Sequence, residues 1–442
     1  MQISANRKRL LIGAGLLLAF CFRLGFGLCS DFWANSDDEK QIYLIGLKYS
    51  TTAEWPYFGP DVTSTIQIPG ALQGLVVGLP LRLLPLPEAP YVFVNLLSFA
   101  GLCFFAWYCS RRLSSLPRWF IWAWLLTAPW TLNFSTQVVN PSYVLPASIL
   151  FFCAALETYP FLRCGAIPVR WAGFTMAFAL FWIMQFHLSW IVLVPYVVLS
   201  VYFQFREKGL GAFKFITWFI AGAILPASLL LPTFFRFGLN SGMGNTLQVV
   251  GFNSSNLLQH LNPVEGVLGR FLSFASFEIP RFIGRNTAAR LDFAKEHLWL
   301  LPFLLFLTVV GLLQPLALLV LWFRRRSTQK DWQAIRYFTL GTVALLYLSF
   351  MFSMKAPSSH TFYVTLPVAI LYSLYCWNEP LRKPFWRKVA LAVVVCGIIF
   401  NIGLAAHKYS RSSLYVDRAR IQRAIDEHDY RLVGERRIGA KY

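Results

Sequence analysis

Apolar residues in this chain come in long runs separated by short polar gaps. Runs of about 18 residues recur from near the N-terminus to about residue 406, each long enough to cross a hydrocarbon core as a helix. Lys and Arg fall mostly in the gaps, so their alternation predicts a path through a membrane. A first span at 9–28 follows Arg7, Lys8 and Arg9 and leaves the cytoplasm. Spans at 91–110, 119–134, 144–162, 171–186, 188–205 and 214–235 then alternate, with Arg111, Arg112, Arg118, Arg163, Arg170, Arg206 and Lys208 inside. Spans at 298–323, 336–353, 362–377 and 389–406 complete the set, with Arg324, Arg325, Arg326, Arg382, Lys383, Arg387 and Lys388 inside. The expectation is an all-α polytopic membrane protein of about 11 transmembrane helices. It forms one transmembrane unit over 1–406, with large outer loops at about 29–90 and 236–297 and a basic tail at 407–442.

Two stretches strain this path. Residues 69–86 are apolar enough to cross, but a crossing there would turn Arg111 and Arg112 outward. The stretch also holds Pro69, Pro80 and Pro85, which interrupt a helix, and is therefore expected to be re-entrant or interfacial. The tail carries Arg411, Arg418, Arg420, Arg423, Arg431, Arg436 and Arg437, yet the path leaves it outside, against the positive-inside rule.

Composition agrees with the pattern. Hydrophobic residues make up 57% of the chain and charged residues only 14%, against roughly a quarter in soluble domains. The net charge of +20 is spread over the gaps and gathers in no soluble domain, which excludes nucleic acid as the partner. The eight cysteines have no metal-ligand spacing and read as small buried side chains. The first apolar run has no clear cleavage site after it and is expected to stay as a helix.

Candidate chemistry sits just past the first span. Asp37, Asp38 and Glu39 lead a stretch in which Ile42, Leu44, Ile45, Leu47 and Tyr49 form a partly amphipathic helix, expected at the membrane interface. Trp55, Tyr57 and Phe58 follow as aromatic anchors. Acids favour a helix N-terminus, so capping accounts for part of the cluster. Three in a row exceed what a cap needs, and like charges raise at least one pKa, which suits a general base.

A basic N-terminus, one span, the Asp-Asp-Glu cluster, a short helix, the run Trp55-Pro56-Tyr57-Phe58-Gly59-Pro60, a proline-led apolar segment and a span ending in Arg111-Arg112 together resemble the GT-C superfamily of membrane glycosyltransferases. Its members include protein O-mannosyltransferases, lipid A aminoarabinose transferases and oligosaccharyltransferase catalytic subunits. The nearest likeness is to bacterial lipopolysaccharide core sugar transferases. The resemblance covers roughly the first 150 residues and, more weakly, 354–370.

It implies a polyprenyl-phosphate-linked sugar donor, a lipid, glycan or protein acceptor, and transfer on the outer face of a bacterial inner membrane. Asp38 would be the catalytic base, with Asp37 and Glu39 as neighbouring registers. The family often carries another acid in the second outer loop. This chain has Asn140 there, a sugar contact or a turn residue. That departure weakens the case for a two-acid metal site, so no cofactor is expected, with a divalent metal left open. For the donor phosphate, Arg281 and Arg285 lie four apart, on one face if helical, and Lys355 and His360 offer a second place. Two rival readings remain: a lipid-linked polysaccharide polymerase or ligase using the long-loop arginines, and a transporter or flippase, which would usually bury charges near the midplane.

Overall fold

The computed structural model describes residues 5–29, 37–63, 66–238, 263–276, 279–284, 286–324, 330–352, 359–412 and 414–427. Arg285 and Lys355, and the side chains of Asp37, Asp38 and His360, lie outside the described residues.

The described chain is helical apart from one hairpin, β1 (Phe58–Thr63) and β2 (Ile66–Pro69), paired antiparallel. The first helices are α1 (Ala5–Leu28), α2 (Asp37–Thr52), α3 (Leu72–Leu83), α4 (Ala89–Arg112), α5 (Arg118–Thr127) and α6 (Pro129–Asn133). Next come α7 (Asn140–Thr158), α8 (Val169–Met184), α9 (Val194–Lys208), α10 (Phe213–Ser228) and α11 (Leu231–Phe237). After a π-helical stretch at Pro263–Gly269 follow α12 (Arg270–Ser273), α13 (Ile279–Ile283), α14 (Thr287–Glu296), α15 (Leu301–Trp322), α16 (Trp332–Ser349), α17 (Leu366–Trp377), α18 (Pro384–Ser412) and α19 (Leu414–Asp426).

Six described helical stretches are long and apolar enough to cross a membrane: Leu10–Leu28, Ala89–Arg112, Asn140–Thr158, Leu188–Ser228, Leu298–Trp322 and Pro384–Ser410. This makes the chain an all-α membrane protein. The fourth stretch takes in both α9 and α10, which part at Gly209, where φ is +51°. Leu10, Leu11, Leu17 and Leu18 on α1 and Leu312, Leu313 and Leu316 on α15 are exposed, as lipid-facing side chains should be. At the centre lies α7, 94% buried.

Two sets of contacts mark the ends of the bundle. At one end, Arg112 of α4 meets Asp331 before α16 at 2.7 Å, Arg163 meets Glu207 at 2.9 Å, and Arg324 meets Glu379 at 3.1 Å. The turns after α4, α7, α9, α15 and α17 therefore share this arginine end. At the other end Gln73 of α3 donates to the Gln185 carbonyl after α8 (2.8 Å), and Gln185 donates to Pro226 O of α10 (2.7 Å). The gaps read from the sequence as one side do lie together.

The first loop is itself folded. At 12 residues, about 18 Å, α3 is too short to cross a core of about 30 Å. It lies against α2 backbone to backbone: a Cβ on Gly46 would come 2.8 Å from Gly78 N, and one on Gly78 would come 2.7 Å from Gly46 O. The expected interfacial setting of α2 does not hold. Ile42 to Leu47 are buried without a break, because α3 covers the face that lipid would have met. The aromatic anchors are likewise absorbed, with Tyr57 and Phe58 packing on Phe237 of α11 at 5.2 and 5.1 Å between centroids. The tail joins the end opposite the arginines: Arg418 of α19 pairs with Glu88 at 2.6 Å.

Candidate functional site

Two predicted site residues, Glu39 and Arg281, contact the segment between α5 and α7, and a third, Asn140, follows it at the head of α7. Pro129 lacks an N–H and breaks the helix at Ala128, which is extended at φ −60°, ψ 135°. The carbonyls freed by the break need donors. Thr131 Oγ1 donates to Leu125 O at 2.8 Å, Arg23 Nη1 to Leu126 O at 3.0 Å, and Asn401 Nδ2 to Thr127 O at 2.7 Å. Arg23 also donates to Thr131 O at 2.7 Å and to Ser135 Oγ. The one arginine inside the first span is thus a strut that fixes α1 to this break.

One turn further along α1, Gly27 sits directly on the segment. A Cβ there would lie 2.3 Å from Thr136 O, so no larger residue fits without displacement. Asn95 of α4 donates to the same carbonyl at 3.0 Å. This contact holds the end of α1 and α4 against the segment.

Glu39 is the third residue of α2 and only 1% exposed. Its Oε1 accepts from the Tyr91 hydroxyl of α4 at 2.9 Å and from the Val138 N–H at 3.2 Å. Beside it, Asn140 Oδ1, Ser142 Oγ and Tyr143 Oη at the head of α7 are buried with no hydrogen-bond partner among the described residues. Buried polar atoms are normally satisfied, so each of these three is open to a further hydrogen bond.

Cations flank the same segment. Arg281 on α13 lies over the Trp130 ring, 5.3 Å from its centroid. Lys408 on α18 donates to Asn133 Oδ1 at 3.0 Å and lies 5.2 Å from the Phe26 centroid. It is also near Cys29, whose thiol burial pushes up while Lys408 acts in the opposite direction. Tyr363 donates to Trp130 O at 2.9 Å, which carries the helical turn that includes His360 to the segment. Glu39 therefore contacts this stretch at Val138 and Arg281 contacts it at Trp130, with Asn140 just past its end. Arg281 sits on α13, which ends at Ile283; Arg285, expected on the same helix face, lies outside the described residues. Lys408 is not among the residues the sequence singles out. Its signal is a lone cation directly after the last apolar run.

A second polar cluster occupies the other end of α7. Arg112 donates to Tyr375 Oη (2.7 Å), Tyr108 Oη (3.0 Å), Leu162 O (2.5 Å) and Asp331 Oδ2 (2.7 Å). Tyr108 donates in turn to Glu157, at 3.0 Å, which also accepts from Gly165 N at 2.8 Å. Every member has partners, so this cluster reads as a structural lock.

Comparison with protein-family models, curated proteins and solved structures finds no match to this chain.

Proposed function

We propose that this protein is a GT-C-type glycosyltransferase with about eleven spans. It would move a sugar from a polyprenyl-phosphate donor to a lipid, glycan or protein acceptor on the outer face of a bacterial inner membrane. The observation that carries the reading is the setting of the acidic cluster. It opens a helix that is locked against α3, directly past the first membrane helix, and Glu39 reaches the head of α7 where Asn140, Ser142 and Tyr143 have polar atoms to spare.

In this reading Asp38 takes the proton from an acceptor hydroxyl or amine. The acceptor atom attacks the anomeric carbon as the bond to the phosphate oxygen breaks. The lipid phosphate leaves with that electron pair, and the anomeric centre inverts. Arg281 and Lys408, with Arg285, Lys355 and His360, are the groups offered to the phosphate charge. Glu39 already holds two hydrogen bonds and serves to position the cluster, with Asp37 as its outer neighbour.

The test is transfer from a panel of polyprenyl-phosphate sugars by purified protein and by Asp38→Asn. Asn caps a helix about as well as Asp but takes no proton, so the variant should fold normally and lose roughly a hundred- to ten-thousand-fold in rate. Full transfer by Asp38→Asn, Asp37→Asn and Glu39→Gln alike would reject the mechanism.

A further inference from the structure

Away from the acidic cluster, three ligand-type side chains converge where α14 meets α18. His297 Nε2 lies 3.0 Å from His407 Nδ1, and His407 Nδ1 lies 3.3 Å from Glu296 Oε2. All three donor atoms fall within 4.8 Å of one another. Four ligands at 2.0–2.1 Å around a tetrahedral ion stand about 3.3 Å apart, so two of these three edges already have the spacing of a metal site. Protons alone serve the arrangement poorly. His407 Nδ1 faces both a carboxylate oxygen and a second imidazole nitrogen, and one proton cannot satisfy both contacts well.

The surroundings hold the rings in place. Phe293 packs on both imidazoles, with centroids 4.8 Å from each. Asn286 caps α14 by accepting from Ala289 N at 2.8 Å, and His297 N closes its last turn on Phe293 O at 3.1 Å. One turn before His407, a Cβ on Gly403 would lie 2.2 Å from Leu300 Cδ1. Leu300 thus sits against bare backbone, and this close approach carries His297 to His407 across 110 residues of sequence. The Glu296 side chain is 43% exposed, so an ion has a route in and water can complete its coordination.

We infer that Glu296, His297 and His407 form a binding site for one divalent transition ion of the zinc class. Two imidazoles and one carboxylate are the donor set that zinc accepts. The ion would tie the start of α15 to the end of α18, next to Lys408, and the inference stands whether or not the transfer reading holds.

The full chain, purified in detergent without a histidine tag, is stripped with EDTA and dialysed against buffered micromolar Zn²⁺. Elemental analysis should find about one zinc per chain, and chelation should lower the melting temperature. His297→Gln and His407→Gln should each cut retained zinc at least about tenfold, with Glu296→Gln milder, and chelation should no longer shift their melting. Co²⁺ added to the stripped wild type should give visible absorption that Zn²⁺ abolishes, a readout that needs no variant. No retained zinc and no cobalt absorption in the wild type would overturn the site, as would equal zinc retention in folded variants.

Discussion

The Tyr91 hydroxyl donates a hydrogen bond to Glu39 Oε1 at 2.9 Å, and this bond ties the first turn of α4 to the acidic head of α2. Both groups are buried, so neither can turn to water when the other is lost. Tyr91→Phe should cost about 1–3 kcal/mol of stability, measured by thermal melting in detergent, because the carboxylate keeps its burial and loses a donor. Glu39→Gln should melt early too. Asp38→Asn should melt like the wild type while transfer collapses. If Glu39→Gln melts normally, the positioning role given to Glu39 is wrong.

Gly27 offers a second handle on the same geometry. A Cβ at this position would stand 2.3 Å from Thr136 O, a backbone atom that cannot rotate away. Gly27→Ala should displace α1 from the segment before α7 and destabilise the protein by about 1–3 kcal/mol. Around Gly15 on the same helix, a Cβ would meet nothing within 4 Å, so Gly15→Ala is the matched control and should be neutral. Equal melting of the two variants would count against the close approach.

Arg112 is almost wholly buried and bonded to Asp331, Tyr375 and Tyr108. Removing one partner of a buried ion pair strands the other, at about 3–5 kcal/mol. Arg112→Met should therefore sharply reduce the folded fraction on size-exclusion in detergent. Arg111→Met, at an exposed neighbour, should leave it unchanged. A fully folded Arg112→Met protein would mean that the cluster is not a lock.

The two ends of the bundle can be told apart chemically. In a cysteine-free background, Ser114→Cys and Lys330→Cys should react with a membrane-impermeant maleimide from one side only. Glu54→Cys and Arg423→Cys should react from the other. Labelling of Ser114→Cys and Glu54→Cys from the same side would contradict the assignment of α3 as a helix that turns back.

Much of this fold was legible because a membrane helix announces itself in one dimension. Six described stretches have the length and apolarity of a membrane crossing, while the run at 119–134 breaks at Ala128 and α3 is a 12-residue helix that carries Pro80 inside it. The setting of α2 was not legible, since its alternation of apolar and polar positions reads alike for lipid and for a covering helix. Only the pairing of Gly46 with Gly78 decides between them. Glu39, Asn140 and Arg281 could be picked out as candidates from residue type and place. Lys408 and the pairing of His297 with His407 could not, because contacts between distant residues leave no periodic trace. Arg112 looked like an ordinary cation at a span end, and nothing near it in sequence points to Asp331 or Tyr375.

The enclosure of α7 bears on how the protein is made. It is the least apolar of the six crossing stretches and also the most fully covered, with α4 and α8 packed along it. A helix with Asn140, Ser142, Ser148 and Glu157 has little to gain from lipid on its own. Its place in the bilayer must come from its neighbours. During synthesis α4 is already waiting and α8 follows next, so α7 is held in the membrane by company on both sides, and the two polar clusters at its ends can form only once that company has gathered.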